Sequence, residues 1–293
     1  MHNIDTSSAP RADANIALKG APSLSISLVV YRPDVSLLNQ TLQSVTAAWA
    51  RMRQTGTDAR AHLYIVDNGG FRDADIAGRL ASLAEQSVAW TVLRGHGNVG
   101  YGRGHNLAIE QTGSQYHLIL NPDIDMDVEA LVNAFGFLQA HPAVGLVTPR
   151  IDDDRAGIQY LCRRYPAMLD LFVRGFLPSR LQRWFSRRLG RYEMRDVING
   201  RDVVWDPPIV SGCFMFFRTG VLKRLAGFDP RYFLYFEDYD LSLRTHRLAR
   251  VAYVPSVRAI HHGGGASRKG FAHIRMFVAS AVKFYNQFGW KWV

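Results

Sequence analysis

The sequence predicts an α/β protein in which helices cover both faces of a mostly parallel β-sheet. Two observations support this. Buried strand patterns alternate with helical patterns through the first half of the chain, and polar residues directly follow several of the strands. Such alternation is typical of βαβ units, which build parallel sheets. Ligands of these sheets bind beyond the carboxyl ends of the strands, so we expect a site there.

The expected elements begin at residue 24. Continuous apolar runs indicate strands, and apolar residues spaced three or four apart indicate helices. Strands are expected at 24–31, 62–66, 88–93, 117–120, 144–148, 209–217 and 251–254. Helices are expected at about 33–53, 73–85, 104–111, 127–140 and 238–248, with a loop over 259–269.

The chain divides into one domain and three further segments. Residues 1–23 are rich in Ala, Ser, Asp and Pro and predict a mobile tail. Residues 24–270 form the expected domain, which a basic, helical insertion interrupts at 152–205. Residues 271–293 predict an amphipathic C-terminal helix.

Composition restricts the function classes. The formal charge of +10 implies an anionic partner, which can be nucleic acid, a phosphorylated small molecule or an anionic membrane. The two cysteines, Cys162 and Cys213, are too few for a disulfide framework or a zinc site and suit a reducing compartment. We find no apolar run near the ~20 residues of a spanning helix and no secretory signal.

Four polar residues at strand ends are candidate ligand contacts: Tyr31, Asp67, Asn98 and Asp123. The Asp67 carboxylate can accept the imide N–H of a uracil or thymine ring, or form a turn with the residues after it. Asp123, in Leu-Asn-Pro-Asp, can bind Mg²⁺ or Mn²⁺ together with substrate phosphates, or belong to a simple turn.

Residues 97–106 form a glycine-rich loop. Glycines allow backbone amides to approach a phosphate at a helix start, although a plain glycine turn has the same composition. A dinucleotide fingerprint would follow the first strand, whereas this loop follows the third. The position therefore argues against a Rossmann dehydrogenase.

An aromatic run from Phe228 to Phe236 leads into Glu237 and Asp238. Carboxyl groups against apolar surface have raised pKa values, which suits general acid and base chemistry. The alternative is an acidic first turn of a helix. Further along, His261 and His262 are candidate ligands of a metal or diphosphate, and Arg268 is a candidate phosphate contact. A structural pair of histidines and a solvated basic turn are the alternatives.

The segment 163–191 carries eight arginines and one aspartate among large apolar residues. This pattern is typical of a helix that lies in a membrane interface. An arginine-covered helical subdomain and a nucleic-acid groove are the alternatives. The interleaved apolar residues favour the membrane, and we expect no nucleic-acid partner.

Seven motifs, in order, resemble the inverting glycosyltransferases of family 2, which have a GT-A fold, and the rhamnosyltransferase-like branch most of all. They are the first strand, Ile-Val-Asp-Asn, the 97–106 loop, Leu-Asn-Pro-Asp, Ser211–Arg218, the segment from Gly227 to Leu241, and Pro255 followed by His261. Two positions depart from the family pattern. The first strand ends in Val30-Tyr31-Arg32 rather than Thr-Tyr-Asn, and Asn121 replaces the first Asp of Asp-x-Asp.

The resemblance implies roles for individual residues. Asp238 would be the catalytic base, and Glu237 would orient the acceptor. Asp123 would bind the metal, with His261 the preferred histidine ligand and His262 the second. The nucleotide-sugar contacts would be Tyr31, Asp67, Asn98, Gly100, Asn106, Asn121 and Arg268.

The implied reaction is transfer of L-rhamnose from dTDP-L-rhamnose, with Mg²⁺ or Mn²⁺, onto a polyprenyl-diphosphate-linked saccharide in cell-surface polysaccharide synthesis. The enzyme would be cytoplasmic and peripheral on the inner face of the plasma membrane. The alternatives are a family 2 enzyme that uses a UDP-sugar of galactofuranose or hexosamine, and a non-catalytic nucleotide-sugar-binding protein.

Overall fold

The computed structural model describes residues 23–56, 59–263 and 270–293. The expected mobile tail lies outside the described residues, apart from Ser23, which begins the first strand. Arg268, the predicted phosphate contact, also lies outside them. The described part contains nine strands and ten α-helices, which confirms the α/β class.

The N-terminal half alternates strands and helices as predicted. Its elements are β1 (Ser23–Val30), α1 (Val35–Gln54), β2 (Arg60–Asp67), α2 (Ala77–Glu85), β3 (Val88–Leu93), α3 (Tyr101–Gln111), β4 (Tyr116–Leu120), β5 (Ile124–Met126), α4 (Ala130–Ala140) and β6 (Val144–Asp152). A 3-10 turn, Asp73–Asp75, precedes α2. Asp34 caps α1, because its carboxylate accepts hydrogen bonds from the first free amides of the helix.

The C-terminal half is richer in helices. Its elements are α5 (Met168–Phe176), α6 (Ser179–Gln182), α7 (Ser186–Tyr192), β7 (Val204–Trp205), β8 (Phe214–Arg218), α8 (Thr219–Arg224), α9 (Glu237–Thr245), β9 (Arg250–His261) and α10 (Phe271–Phe288). The helices α5 to α7 occupy the basic insertion, and a 3-10 turn, Arg183–Phe185, joins the last two.

All nine strands join one sheet. Its order is β3-β2-β1-β4-β8-β6-β9-β5, and β7 pairs with β9. The first four strands in this order are parallel, as the βαβ pattern predicts. Beyond them the sheet is mixed, because β8 lies antiparallel between β4 and β6, while β5 and β7 lie antiparallel to β9.

Helices pack on both faces of this sheet. Leu118 and Leu120 of β4 belong to a core with residues of α1, α2 and α4, whereas Ile119 between them belongs to a core with residues of α3 and α8. Successive side chains of a strand point to opposite faces, so each face buries its own apolar set. The carboxyl ends of β1, β2 and β4 remain available for a site.

Four strands differ from the sequence prediction: β5 and β7 are not predicted, β8 begins at Phe214 rather than at residue 209, and β9 is longer than expected. The three residues of β5 are too few to give a recognisable pattern. β9 spans 12 residues where a short strand and a loop are expected, because Pro255 interrupts its apolar run. The β6–β9 register shifts between Pro149 and Arg150, so that Pro255 sits in the irregular part of the ladder. The irregularity carries the strand on to His261.

Candidate active site

The carboxyl ends of β1 and β4 border a cleft of about 320 Å³. Its lining includes Tyr31, Tyr101, Asn121 and Asp123. A larger cleft of about 540 Å³, beside α1 and Asp125, contains none of the predicted site residues. We assign the candidate active site to the smaller cleft, because polar side chains converge there at strand ends.

Asp67 and Tyr31 lie together at the ends of β2 and β1. The Asp67 carboxylate accepts hydrogen bonds from the Gly69 amide (2.8 Å) and from Arg94 Nε (3.2 Å). The predicted turn therefore forms, yet a carboxylate has about four lone-pair sites, so two bonds do not exhaust it. Tyr31 is 50% exposed and its ring lies against Gly69. A flat ring beside a charged acceptor suits a nucleobase.

The glycine-rich loop is held against the aromatic segment. α3 starts at Tyr101, earlier than predicted, and the Tyr101 amide donates to the Phe233 carbonyl (3.0 Å). Gly100 has φ +90°, and a Cβ on it would lie 2.3 Å from that carbonyl oxygen, so only glycine suits this position. Asn98 accepts the Gly100 amide (3.1 Å). This loop therefore supports the aromatic segment, residues 228–236, that precedes Glu237 and Asp238.

The sequence predicts that Asn106 shapes the nucleotide pocket, but its side chain binds the protein backbone instead. Its Nδ2 donates to the Phe228 carbonyl (2.8 Å), and its Oδ1 accepts the Phe228 amide (2.9 Å). Both ends of the amide are therefore engaged by one backbone unit. Asn106 holds the start of the aromatic segment on α3 and does not line the described cleft.

Asp123 and His261 face each other across the β5–β9 pair. Asp123 Oδ2 lies 3.4 Å from His261 Nε2. Gln159 fixes the His261 ring. The Nε2 of Gln159 donates to the His261 carbonyl (2.9 Å), and this bond turns the Oε1 of Gln159 towards His261 Nδ1 (3.1 Å). An amide oxygen only accepts, so Nδ1 carries the proton. In the neutral ring, Nε2 then presents a lone pair to the carboxylate.

This arrangement fits a divalent cation. Two lone-pair donors face each other, and the Nδ1–H bond to Gln159 orients the imidazole as in known metal sites. Asp123 Oδ1 is buried without a hydrogen-bond partner. In the described residues no group of three or more His, Cys, Asp or Glu can hold a metal. Mg²⁺ and Mn²⁺ can bind at a site with only two protein ligands, because substrate phosphates supply further ligands.

The environment of Asp123 also keeps it ionised. Burial raises the pKa of a carboxyl, but when the His261 ring is protonated, its Nε2–H bond and its charge outweigh burial and hold the pKa of Asp123 below its usual value; a bound cation would take the place of that proton. Gly263 packs against the same group, and a Cβ on it would lie 2.0 Å from Asp123 Oδ2. A glycine at this position leaves room for the carboxylate.

Replacing Gly263 by Ala should therefore displace the Asp123 carboxylate. In this variant, at least about tenfold more nucleotide with Mn²⁺ should be needed to give the same rise in melting temperature. A loss of this size is usual when the groups around a metal ligand are disturbed. The melting temperature of the free protein should change little, because the displaced atom is the end of a side chain. Gly113→Ala, at a glycine with open space around it, is the matched control. Unchanged metal dependence would remove Asp123 from the metal site.

His262 lies on the other side of this turn. Its Nδ1 bonds Asp154, and its Nε2 lies 3.1 Å from Gln40 Nε2 and 4.0 Å from Asp125 Oδ2. These contacts direct the ring away from Asp123. Of the two predicted histidines, the structure brings His261 to Asp123 and leaves His262 in a separate polar cluster.

Glu237 and Asp238 are the first two residues of α9, and neither is among the residues that line the cleft. Asp238 Oδ2 accepts the Gly212 amide (3.0 Å), and Oδ1 accepts the Tyr239 amide (2.9 Å). Glu237 is 5% exposed, and its Oε2 is buried with no hydrogen-bond partner. Asp238 thus has a donor on each carboxylate oxygen, whereas one oxygen of Glu237 has none.

This difference sets the protonation states of the pair. Burial, and then the charge of Asp238, raises the pKa of Glu237 to about 8. Burial also raises the pKa of Asp238, while the amides of Gly212 and Tyr239 favour its charged form. Because backbone amides support only the charge of Asp238, the geometry favours the proton on Glu237 and the negative charge on Asp238.

The backbone before this pair is strained. Tyr235 and Phe236 have φ of +70° and +66°, a left-handed conformation that costs a non-glycine residue about 1–3 kcal/mol. α10 holds the segment in place: Ser280 Oγ donates to the Leu234 carbonyl (2.8 Å), and Gln287 Nε2 donates to Asp240 Oδ1 (2.9 Å). The C-terminal helix therefore supports the backbone on both sides of Glu237 and Asp238.

Tyr101 connects the two halves of the site. Its hydroxyl donates to the Gly212 carbonyl (2.7 Å) and reaches Asn121 Oδ1 (3.0 Å). Gly212 in turn binds Asp238, so the Asn121–Asp123 turn and the carboxyl pair are separated by a single side chain.

Sequence reasoning missed Tyr101 and Gln159. Tyr101 is the lone aromatic in the glycine loop, which is a usable signal, whereas nothing in the sequence distinguishes Gln159.

The comparisons were made with both sequences and folds. No family model matches the chain. It is 27% identical over 185 residues to the rhamnosyltransferase WbbL of Escherichia coli K12, a match of 60% of this chain and 66% of that protein. It is 28% identical over 187 residues to an N-acetylglucosaminyl-diphospho-decaprenol L-rhamnosyltransferase of Mycobacterium tuberculosis, covering 56% of each. The chain thus spans about half to two thirds of these relatives.

The fold has counterparts among solved glycosyltransferases. The mannosyltransferase PcManGT of Pyrobaculum calidifontis, in complex with GDP-Man and Mn²⁺, superposes with a TM-score of 0.55 at 15% identity, covering 90% of this chain and 65% of that one. The chain therefore has the GT-A glycosyltransferase fold. Within that class its sequence is rhamnosyltransferase-like, and the family 2 resemblance predicted from the motifs is confirmed.

Proposed function

We propose that the protein is an inverting glycosyltransferase that transfers L-rhamnose from dTDP-L-rhamnose to a saccharide acceptor in cell-surface polysaccharide synthesis. The main support is the site itself: Asp123 and the Glu237–Asp238 pair lie on opposite sides of Tyr101 in a GT-A fold. The similarity to two rhamnosyltransferases favours rhamnose as the sugar.

The reaction is a direct displacement. Asp238 takes the proton of an acceptor hydroxyl, whose oxygen attacks the anomeric carbon from the face opposite the nucleotide. The bond to the diphosphate breaks, dTDP leaves with the electron pair, and the anomeric configuration inverts. Protonated Glu237 donates a hydrogen bond to the acceptor and orients it. The apolar surroundings of both carboxyls strengthen these interactions.

The nucleotide and the metal occupy the other side of the cleft. Asp67 and Tyr31 bind the base, and Asn121 lies beside the diphosphate. Asp123 and His261 would hold Mg²⁺ or Mn²⁺, which neutralises charge on the leaving diphosphate when it is bound. The Mn²⁺ in the similar mannosyltransferase structure supports this choice of metal.

The acceptor is a saccharide on a polyprenyl diphosphate, at the inner face of the plasma membrane. The relative from M. tuberculosis is named for an acceptor of this kind, which supports the assignment. Among the described residues, no helix is long and apolar enough to cross a membrane. We infer that the protein reaches a lipid-linked acceptor as a peripheral protein, through its basic insertion.

A thermal-shift experiment tests the donor. A ligand that binds only the native state raises the melting temperature, so dTDP with Mn²⁺ should give a larger shift than dTDP alone and than UDP or GDP with Mn²⁺. A shift with UDP alone would keep the mechanism and make the donor a UDP-sugar. Binding of dTDP-rhamnose without transfer or hydrolysis would indicate a non-catalytic binding protein. No shift with any nucleotide would refute the proposed function.

A further inference from the structure

The helical run of the basic insertion carries the most exposed large hydrophobic side chain of the described residues. Trp184, in the 3-10 turn between α6 and α7, is 82% exposed, and Leu181 one turn earlier is 40% exposed. An isolated exposed leucine needs no explanation, but a tryptophan on this scale is unusual on a free surface. Tryptophan is enriched where one side of a protein meets the lipid–water interface.

Of the eight arginines in residues 163–191, six fall into two sets; of the other two, Arg163 is buried against the Tyr192 ring, and Arg191 is exposed at the far end of α7 without an ion pair among the described residues. One set is satisfied within the protein: Arg164 pairs with Asp196 (2.8 Å), Arg174 with Glu193 (3.3 Å) and Arg188 with Asp170 (2.6 Å). The other set is Arg180, Arg183 and Arg187. In the described part of the chain these three are exposed and form no ion pair.

The unpaired set surrounds Trp184 in sequence, at four and one residues before it and three after it. In a helical run these spacings place charges around and beside one aromatic side chain. We name Arg180, Leu181, Arg183, Trp184 and Arg187 the insertion tip. The tip combines an apolar wedge with positive charge that the protein itself leaves uncompensated, which is the complement of an anionic lipid surface.

The insertion tip is also connected to the catalytic helix. At the other end of α7, the Tyr192 and Tyr239 hydroxyls are hydrogen-bonded (2.7 Å), and Tyr239 adjoins Asp238. Tyr192 is 3% exposed, so this contact is internal. The eight residues from Trp184 to Tyr192 span roughly 12 Å of helix. A tip seated in the headgroups would therefore hold the catalytic base close to the membrane surface.

We propose that the insertion tip is the membrane-docking site of this protein and that its partner is a bilayer rich in anionic phospholipid. This rests on the proposed function, since it gives the lipid-linked acceptor a place of encounter. A nucleic-acid groove is the competing use of the same charges. An exposed tryptophan can stack on a base, but a tryptophan and a leucine flanked by three unpaired arginines form the pattern of an interfacial segment, which favours a lipid surface.

Flotation of the full chain with vesicles tests the docking site. Phosphatidylcholine vesicles with and without phosphatidylglycerol are the probes, and the variants are Trp184→Ala and the triple change of Arg180, Arg183 and Arg187 to Gln. Each arginine near an anionic surface is worth about fivefold in partitioning, so the triple variant should bind about a hundredfold more weakly. Trp184→Ala should weaken binding to both kinds of vesicle.

Matched controls separate the tip from net charge. Arg60, Arg224 and Arg247 are also exposed, and changing these three to Gln removes the same charge elsewhere. Trp90→Ala removes a tryptophan that is 43% exposed on the sheet edge. Equal losses in tip and control variants, or unchanged flotation of the tip variants, would overturn the proposal. So would a loss of single-stranded oligonucleotide binding by the tip variants without loss of vesicle binding.

The nucleotide thermal shift is measured on the same samples. Tip variants that keep their dTDP shift and lose flotation support docking without disturbing the site. If the wild-type protein binds vesicles and no nucleotide, the proposed function fails and the docking site stands. If it binds nucleotide and no vesicles, the docking site fails alone.

Discussion

Changing Asp238 to Asn is expected to lower sugar transfer by about a thousandfold or more, the upper range for loss of a general base. Asn cannot take the acceptor proton, although it can keep one of the two backbone amides that Asp238 binds. dTDP affinity should remain nearly unchanged, because Asp238 is not among the proposed nucleotide contacts. Transfer is measured as dTDP released with acceptor present, and affinity by thermal shift.

Asp196→Asn is the control for this variant. Asp196 is half-exposed and pairs with Arg164 in the insertion, so the change removes a carboxylate without touching the cleft. Its transfer rate should stay within a factor of two of the wild type. Turnover that survives in Asp238→Asn would remove Asp238 from the role of base and make Glu237 the candidate.

The sequence predicts the first four strands, the helices between them and the residues at their ends, because these follow from apolar periodicity. The contacts that hold the site together cannot be predicted from apolar periodicity. Gln159 stands in a loop of the insertion yet fixes the tautomer of His261, 102 residues away. No local pattern relates such residues, since only the β6–β9 pairing brings them together.

The uses of individual side chains were the least predictable part. Asn106 stands in the glycine loop like a ligand contact but binds the backbone of Phe228 with both ends of its amide. The arginines of the insertion are alike in the sequence. Only the fold separates those paired with carboxylates from those left unpaired, among them the three beside Trp184. Composition predicts the charge of a segment, whereas packing decides which charges remain available.

Changing Glu237 to Gln is expected to stabilise the protein in alkaline solution. The folded pKa of about 8 is higher than the usual glutamate value of 4.5, so the native state keeps a proton that the unfolded chain has lost between these two values. The contribution of Glu237 to stability is therefore present below about pH 4.5, falls as the pH rises to about 8 and is constant above it. The loss amounts to at most roughly 5 kcal/mol.

Urea unfolding between pH 4.5 and pH 9 measures this effect. The Gln side chain has no titrating proton, so wild type and variant should have similar stability at the acidic end and diverge towards pH 8, with the variant more stable. Glu193→Gln provides the contrast: Glu193 is 9% exposed and paired with Arg195, so its neutralisation should destabilise the protein. If the free energy of unfolding depended on pH no more in the wild type than in Glu237→Gln, the protonated state of Glu237 would be contradicted.

The same variant decides how the two carboxyls share the chemistry. If Glu237 acts as a neutral donor to the acceptor, Gln preserves a donor, and Glu237→Gln should mainly raise the KM for acceptor while Glu237→Ala lowers kcat as well. If Glu237 were the base, Gln would abolish transfer as completely as Asp238→Asn does. The structure favours the first outcome, because backbone amides stabilise negative charge on Asp238 and the Oε2 of Glu237 has no donor to stabilise charge there. Two adjacent carboxyls in one apolar site ionise in sequence, and the better-solvated member ionises first.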